Sequence, residues 1–392
     1  MPTLSRRDLL QAAGALAVAG PLRPALTKPA IDAAVGRAGP WVNLASDGLG
    51  LSPAEHAGRL HRLASRQDFV ADEYSLGGVV AELETAFATL LGKEAAMFLP
   101  TGTLANQLAV RALAGDPRGA GVRVLLQRSS HLYNDTGDAL TALSGLNMVP
   151  LGGDSATFPL AEVEEEVARS RGGRVATRPA ALVIESPVRR RSGECFDPLE
   201  LLRVTAFARA QGIGLHLDGA RMLIASAYSG VPPAATAAPF DTVYVSLYKG
   251  LNAPSGAILA GSRKLLDGMF HARRMFGGGL PEAWPFAAAA LEDLPGFVAR
   301  LKVAVAASEQ VFTALEARGV GVRRVPRGSN VAFLALGNLD PSSVQKALAA
   351  VQVRAGLAPR GAKELRVLVN ESWSRRDPLD LAAALARALG HG

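Results

Sequence analysis

Three short segments of this 392-residue chain carry groups that could do chemistry, and each follows an apolar run. Pro100-Thr101-Gly102-Thr103-Leu104-Ala105-Asn106 is a Gly/Thr turn that opens a helical pattern. Such a turn offers free backbone N–H groups and a hydroxyl, which suits a phosphate. Asp218-Gly219-Ala220-Arg221 places an acid at a run's end with a guanidinium three residues on. Tyr248-Lys249-Gly250 ends an apolar run with a lysine, where burial lowers the amine's pKa and suits it to form a Schiff base. Taken singly, each has an ordinary reading: a helix start capped by Thr103, a salt bridge at Asp218, and a lysine whose head reaches solvent.

The elements that must position these groups are legible as well. Ala95–Leu99, Val122–Gln127, Ala181–Glu185, Ile213–Leu217, Thr242–Leu247 and Ala257–Ala260 read as strands. Helical stretches lie between them, including Leu104–Leu113, Leu160–Ser170 and Pro198–Gln211. Continuous apolar strands separated by helices predict an α/β fold with a mostly parallel sheet covered on both faces. In such sheets ligands bind at the carboxyl ends of strands. Near Leu294-Pro295 the pattern changes to a long helix over 296–318, a strand at Val331–Leu336, a helix over 341–351, a strand at Leu365–Val369 and a last helix. The expected organisation is an arm over 27–60, a large domain over 61–295 and a small C-terminal α+β domain over 296–392.

Together the three segments match the needs of one cofactor. Pyridoxal phosphate requires a phosphate cradle, a carboxylate for its pyridine nitrogen and an amine for its aldehyde. Asp218 and Lys249 stand one strand–helix–strand step apart, so neighbouring strands could present both to one ring. The chain holds only seven lysines against 35 arginines, and Lys249 alone closes an apolar strand after Asp218. No G-x-G-x-x-G or G-x-x-x-x-G-K-[ST] occurs, which leaves dinucleotide and P-loop readings without their fingerprint.

Other classes are set aside by composition. The chain is 49% hydrophobic and 20% charged, which argues against disorder. Cys195 is the single cysteine, so no internal disulfide can form. No apolar run reaches the roughly 20 residues of a membrane-spanning helix. The net charge of +7 comes from scattered basic residues, of which only Arg189-Arg190-Arg191 forms a run, and stacking aromatics are sparse. Nucleic acid is therefore not an expected partner. No metal site is expected either. Ser5-Arg6-Arg7-Asp8-Leu9-Leu10-Gln11, followed by the weakly apolar Ala12 to Gly20, resembles a twin-arginine export signal. Residues 1–26 are read as that signal and predict a periplasmic protein, or a cytoplasmic one should the run be an ordinary helix.

From about Asn43 to Ala388 the chain resembles the threonine aldolase and β-eliminating lyase group of fold-type-I pyridoxal phosphate enzymes. The resemblance is carried by Leu44-Ala45-Ser46-Asp47, Gly92-Lys93-Glu94-Ala95-Ala96-Met97-Phe98, Pro100-Thr101-Gly102-Thr103 with Asn106-Gln107, and Ser130-His131. It continues through His216-Leu217-Asp218-Gly219-Ala220-Arg221, Lys249-Gly250-Leu251 with Ala253-Pro254, Ala272-Arg273-Arg274 with Gly277-Gly278-Gly279, and Leu365-Arg366-Val367. The resemblance implies that Lys249 binds the cofactor covalently and that Asp218 pairs with the pyridine nitrogen. It implies that Gly102 and Thr103 hold the phosphate, that His131 stacks on the ring and that Arg221 lies beside it. Ser46 and Arg366, with Arg221, would take the amino acid, and a guanidinium fork suits its carboxylate. A homodimer or homotetramer is implied too. His216 shares a strand face with Asp218 but sits deeper, as a structural residue.

The chain also departs from that group. The family's Thr-His-Asn after the strand is here Ser186-Pro187-Val188-Arg189-Arg190-Arg191, with no histidine. Its Met-Arg-Gln after the triple glycine is Leu280-Pro281-Glu282, and its serine before the lysine is Tyr248. The expected reaction is cleavage of the Cα–Cβ bond of a β-hydroxy amino acid to glycine and an aldehyde. β-Elimination on another amino acid, and a non-catalytic binding protein that kept the fold, stand as the alternatives.

Overall fold

The computed structural model describes residues 41–115 and 122–391. The export-signal reading over 1–26 and the arm over 27–40 lie outside the described residues. The central sheet has seven strands: β2 (Ala95–Leu99), β3 (Arg123–Gln127), β4 (Asn147–Leu151), β5 (Pro179–Glu185), β6 (Gly214–Asp218), β7 (Thr242–Ser246) and β8 (Ala257–Gly261). β1 (Val42–Asn43) lies apart from it. The order across the sheet is β2-β8-β7-β6-β5-β3-β4, parallel throughout except for β8, which runs antiparallel to both neighbours. β7 and β8 are buried at every position, and β6 at all but its first, as expected of apolar strands covered on both faces.

β4 is the central-sheet strand that the apolar pattern does not reveal. It reads Asn-Met-Val-Pro-Leu and lies at the sheet's edge, where a proline can do without its ladder hydrogen bond. Helix starts follow their local chemistry. Thr101, Asp197, Asp340 and Asp377 each accept N–H groups of the first turn, and proline follows each of the three aspartates. The cap of the helix Gly102–Ala114 is Thr101, whose Oγ1 accepts from the Leu104 N–H, and not Thr103 as the sequence suggests.

A second, three-stranded antiparallel sheet is formed by β9 (Val322–Arg324), β10 (Val331–Ala335) and β12 (Glu364–Leu368), in the order β12-β10-β9. The helix Phe297–Glu316 covers it and also packs on the helix Met222–Ser229 of the large sheet's layer. The arm does not stand alone. β1 pairs in parallel with β11 (Val353–Arg354), and the Asn43 N–H donates to Ser372 Oγ at 2.8 Å. The expected boundary at residue 60 falls inside the helix Pro53–Ala64.

Candidate active site

The parallel register brings the acidic strand ends side by side. Glu185 of β5 lies opposite Asp218 of β6, and Asp218 lies opposite Tyr244 of β7, five residues before Lys249. The chain leaving β7 thus opens at the same end of the sheet as Asp218. A cavity of about 510 Å³ lies there, lined by Ser46, Asp47, His131, Asp135, Glu185 and Arg189, and by Asp218, Arg221, Tyr248, Lys249 and Arg366 among others. Six of the eight residues expected from the sequence therefore share one cavity: Ser46, His131, Asp218, Arg221, Lys249 and Arg366.

Gly102 and Thr103 are not in that lining; they start the helix that runs against Asp218. Within its first turn, Leu104 N–H is capped by Thr101 and Ala105 N–H bonds the Thr101 carbonyl, so that among the described residues the Gly102 and Thr103 N–H groups have no partner and can serve a ligand. Four residues on, Asn106 shares the face of Gly102 and donates from Nδ2 to Asp218 Oδ2 at 2.7 Å. Gly102 also has a packing reason. A Cβ there would meet Tyr244 Oη at 1.9 Å, so only glycine lets the helix start this close to β7.

Asp218 is fixed from below by a chain of buried groups. Its carboxylate can only accept, so the Asn106 amide must turn its NH₂ towards it and its Oδ1 towards His216. His216 Nε2 then donates to Asn106 Oδ1 at 2.8 Å, and Nδ1 accepts from Thr242 Oγ1 at 2.8 Å. Burial holds the His216 pKa down at about 4, which keeps this ring neutral. Asp218 Oδ1 also accepts the Ala220 N–H at 3.2 Å.

Burial pushes the Lys249 amine down to about 8, and Arg221 pushes the same way against Asp218 and Asp47. Arg221 reaches Asp47 Oδ2 from Nη2 at 2.9 Å and from Nε at 3.0 Å, with both side chains at most 10% exposed. His131 opens a one-turn helix after β3, and its Nδ1 lies 3.4 Å from Asp135 Oδ2. Burial pushes Asp135 up, but hydrogen bonds from Arg189 and Arg190 prevail and hold it at about 2. Arg366 stands at the cavity mouth on β12, with no carboxylate partner among the described residues.

Glu185 is the residue that reading the sequence missed. It is buried, and it accepts the His131 N–H at 2.5 Å and the Arg189 N–H at 2.7 Å. Burial, then the neighbouring Asp218 charge, raises its pKa to about 7. Its signal was available: it too ends a strand of the parallel run. Asp135 and Arg189 gave no such signal, because 54 residues separate them and only the fold pairs them.

The donor set fits pyridoxal phosphate: an amine and a buried carboxylate in one cavity, beside a helix start with two free N–H groups. The comparisons with known proteins agree. The low-specificity L-threonine aldolase 1 of Arabidopsis thaliana is 30% identical over 218 residues, covering 54% of this chain and 60% of its own length. The chain thus spans about three fifths of that relative. A provisional aromatic amino acid β-eliminating lyase/threonine aldolase from Exiguobacterium sp. 255-15 superposes with a TM-score of 0.72 at 25% identity, over 86% of this chain and 94% of that one. The serine palmitoyltransferase of S. paucimobilis, solved with a pyridoxal phosphate adduct, is similar at 16% identity, 89% and 88% coverage and TM-score 0.63. At that identity the likeness shows the fold alone. The family model described as β-eliminating lyase matches residues 67–350, most of the described chain. This match, joined to a parallel sheet whose strand ends gather Asp218 and Lys249, makes the chain a member of the β-eliminating lyase family.

Proposed function

We propose that the protein is a pyridoxal-phosphate-dependent lyase that breaks the Cα–Cβ bond of a β-hydroxy amino acid, giving glycine and an aldehyde. The observation that carries this reading is the meeting of Lys249, Asp218 and Arg366 in one cavity at the carboxyl end of the sheet. In it, Lys249 would be the amine that bonds the cofactor's aldehyde, Asp218 would hold the pyridine nitrogen, and the Gly102 and Thr103 N–H groups would take the phosphate. His131 and Arg221, both in the cavity lining, would contact the cofactor ring. When bound, the cofactor supplies an electron sink for the pair released at Cα. Ser46 and Arg366 orient the substrate through its carboxylate.

The β-hydroxyl must lose its proton as the bond breaks. The segment after β5 supplies no histidine for this: Val188 is fully buried and Arg189 lines the cavity. His131 is the imidazole on the cavity wall, its Nδ1 3.4 Å from Asp135 Oδ2, and it is the group placed to take the proton. The same departure favours β-elimination as the second reading.

Purified protein loaded with the cofactor is expected to absorb in the visible, to lose that band on borohydride reduction, and to show none of it in Lys249→Ala. Glycine with an aldehyde supports the first reading, and pyruvate with ammonia supports the second. A protein that takes up no cofactor overturns both. Assembly as a homodimer or homotetramer, and export of the folded protein through the twin-arginine route to the periplasm, complete the proposal. Light scattering and cell fractionation test these two.

A further inference from the structure

The cavity holds more positive charge than the reading above uses. Three guanidiniums line it, from Arg189, Arg221 and Arg366, and Arg190 shares Asp135 with Arg189. Their partners are already allotted. Asp47 is taken by Arg221, with Asn330 Nδ2 donating to its other oxygen at 3.0 Å. Asp135 is shared by Arg189 and Arg190, the latter at 2.9 Å. Asp218 is held by Asn106 and the Ala220 N–H, and Glu185 is turned to two backbone N–H groups. By direct contact four guanidiniums thus share two carboxylates, Asp47 and Asp135, so that Arg366 and one member of the Arg189–Arg190 pair have no carboxylate of their own among the described residues.

Arg189 is placed to use its share. It begins a three-residue turn just after β5, where Glu185 Oε1 accepts its N–H and fixes the backbone. Among the described residues its Nη2 is engaged by Asp135, Nη1 and Nε have no partner, and the side chain lines the cavity. A guanidinium with unengaged N–H donors can hydrogen-bond a carboxylate as well as attract its charge. Arg366 enters from β12, in the other sheet, so the two forks come from different elements and meet across one cavity.

We infer that Arg366 and Arg189 read two carboxylates of one substrate, so that the favoured substrate is a β-hydroxy amino acid whose β-substituent carries a second carboxylate. This rests on the lyase reading given above. Arg366 takes the α-carboxylate and Arg189 the distal one. For 3-hydroxyaspartate, the simplest such molecule, the Cα–Cβ bond breaks and its electron pair stays with Cα, which is then protonated to glycine. The hydroxyl loses its proton as Cβ becomes the aldehyde carbon of glyoxylate, so the atoms balance with no further reactant. A neutral substituent would leave the surplus guanidinium unanswered, and a cationic one would be repelled.

The test compares kcat/KM of the cofactor-loaded enzyme for 3-hydroxyaspartate, threonine and phenylserine. The expected result is a preference of at least about tenfold for 3-hydroxyaspartate over both neutral substrates, the size of one hydrogen-bonded charge contact. Arg189→Gln should erase most of that preference, and Arg189→Glu should reverse it. Because Arg189 is exposed on a surface turn, neither change disturbs the core. An equal preference in wild type, or one that neither variant alters, overturns the inference and leaves the lyase reading standing. Should no β-hydroxy amino acid give glycine, the lyase reading fails, and calorimetric binding of aspartate against alanine decides the inference separately. Aspartate bound at least about tenfold more tightly, with the gain lost in Arg189→Gln, supports the two-carboxylate site, and equal binding refutes it.

Discussion

Lys249 and Asp218 show how burial outweighs attraction at a single residue. The Asp218 carboxylate favours a protonated amine, yet burial and the Arg221 charge bring the Lys249 pKa down to about 8. The amine attacks an aldehyde only in its neutral form, and that form gains as pH rises through the pKa. Uptake of pyridoxal phosphate by the apoprotein should therefore quicken from pH 7 to about 9 and level off above. Stopped-flow absorbance checks this, and a rate still climbing steeply above pH 10 would mean an unshifted lysine. Glu185 has the opposite design, a carboxyl pushed up to about 7 whose oxygens tie the His131 and Arg189 turns to one strand end. One side chain thus positions the candidate base and the candidate specificity residue.

At the scale of elements, the site depends on a helix docked against strand ends. The helix Gly102–Ala114 starts beside β7 because Gly102 clears Tyr244, and its Asn106 then bridges Asp218 of β6 to His216. Asn106→Leu, close in volume, would leave Asp218 Oδ2 and His216 Nε2 buried without these partners. The expected cost is about 2–3 kcal/mol of stability in urea unfolding, together with weaker cofactor binding by absorbance titration. A variant as stable as wild type would show that water replaces the amide. The strand order was readable in part. Apolar runs marked six of the seven central strands, whereas β4 was hidden by Pro150 and the antiparallel direction of β8 left no trace in its composition.

In the whole molecule, one carboxylate links parts distant in sequence. Asp47 follows β1, pairs with Arg221 after β6, and accepts from Asn330, which precedes β10 of the three-stranded sheet. Both partners of the ion pair are nearly buried, so Asp47→Ala strands a guanidinium away from water. The predicted loss is about 3–5 kcal/mol of stability, measured by denaturant unfolding. The double change Asp47→Leu/Arg221→Met should recover much of that stability while leaving cofactor binding impaired. A full loss in the double variant as well would mean that packing, not charge, sets the cost.

The residues themselves determined the fold class and pointed to the candidate cofactor groups, because strand-ending Asp218 and Lys249 and the Gly102 turn are local signals. Runs of apolar residues cannot sit at a surface, so the sheet was implied before any coordinate was known. Only the tertiary structure decided which charges are spent and which are free. Arg189 reads in sequence as one member of an arginine run, and its partner Asp135 lies 54 residues away. Likewise Glu185 acquires its raised pKa from burial first and then from Asp218 on the next strand, at a distance set by register and not by sequence spacing. Electrostatics depends on separation in space and on exclusion of water, and neither is written into the order of residues.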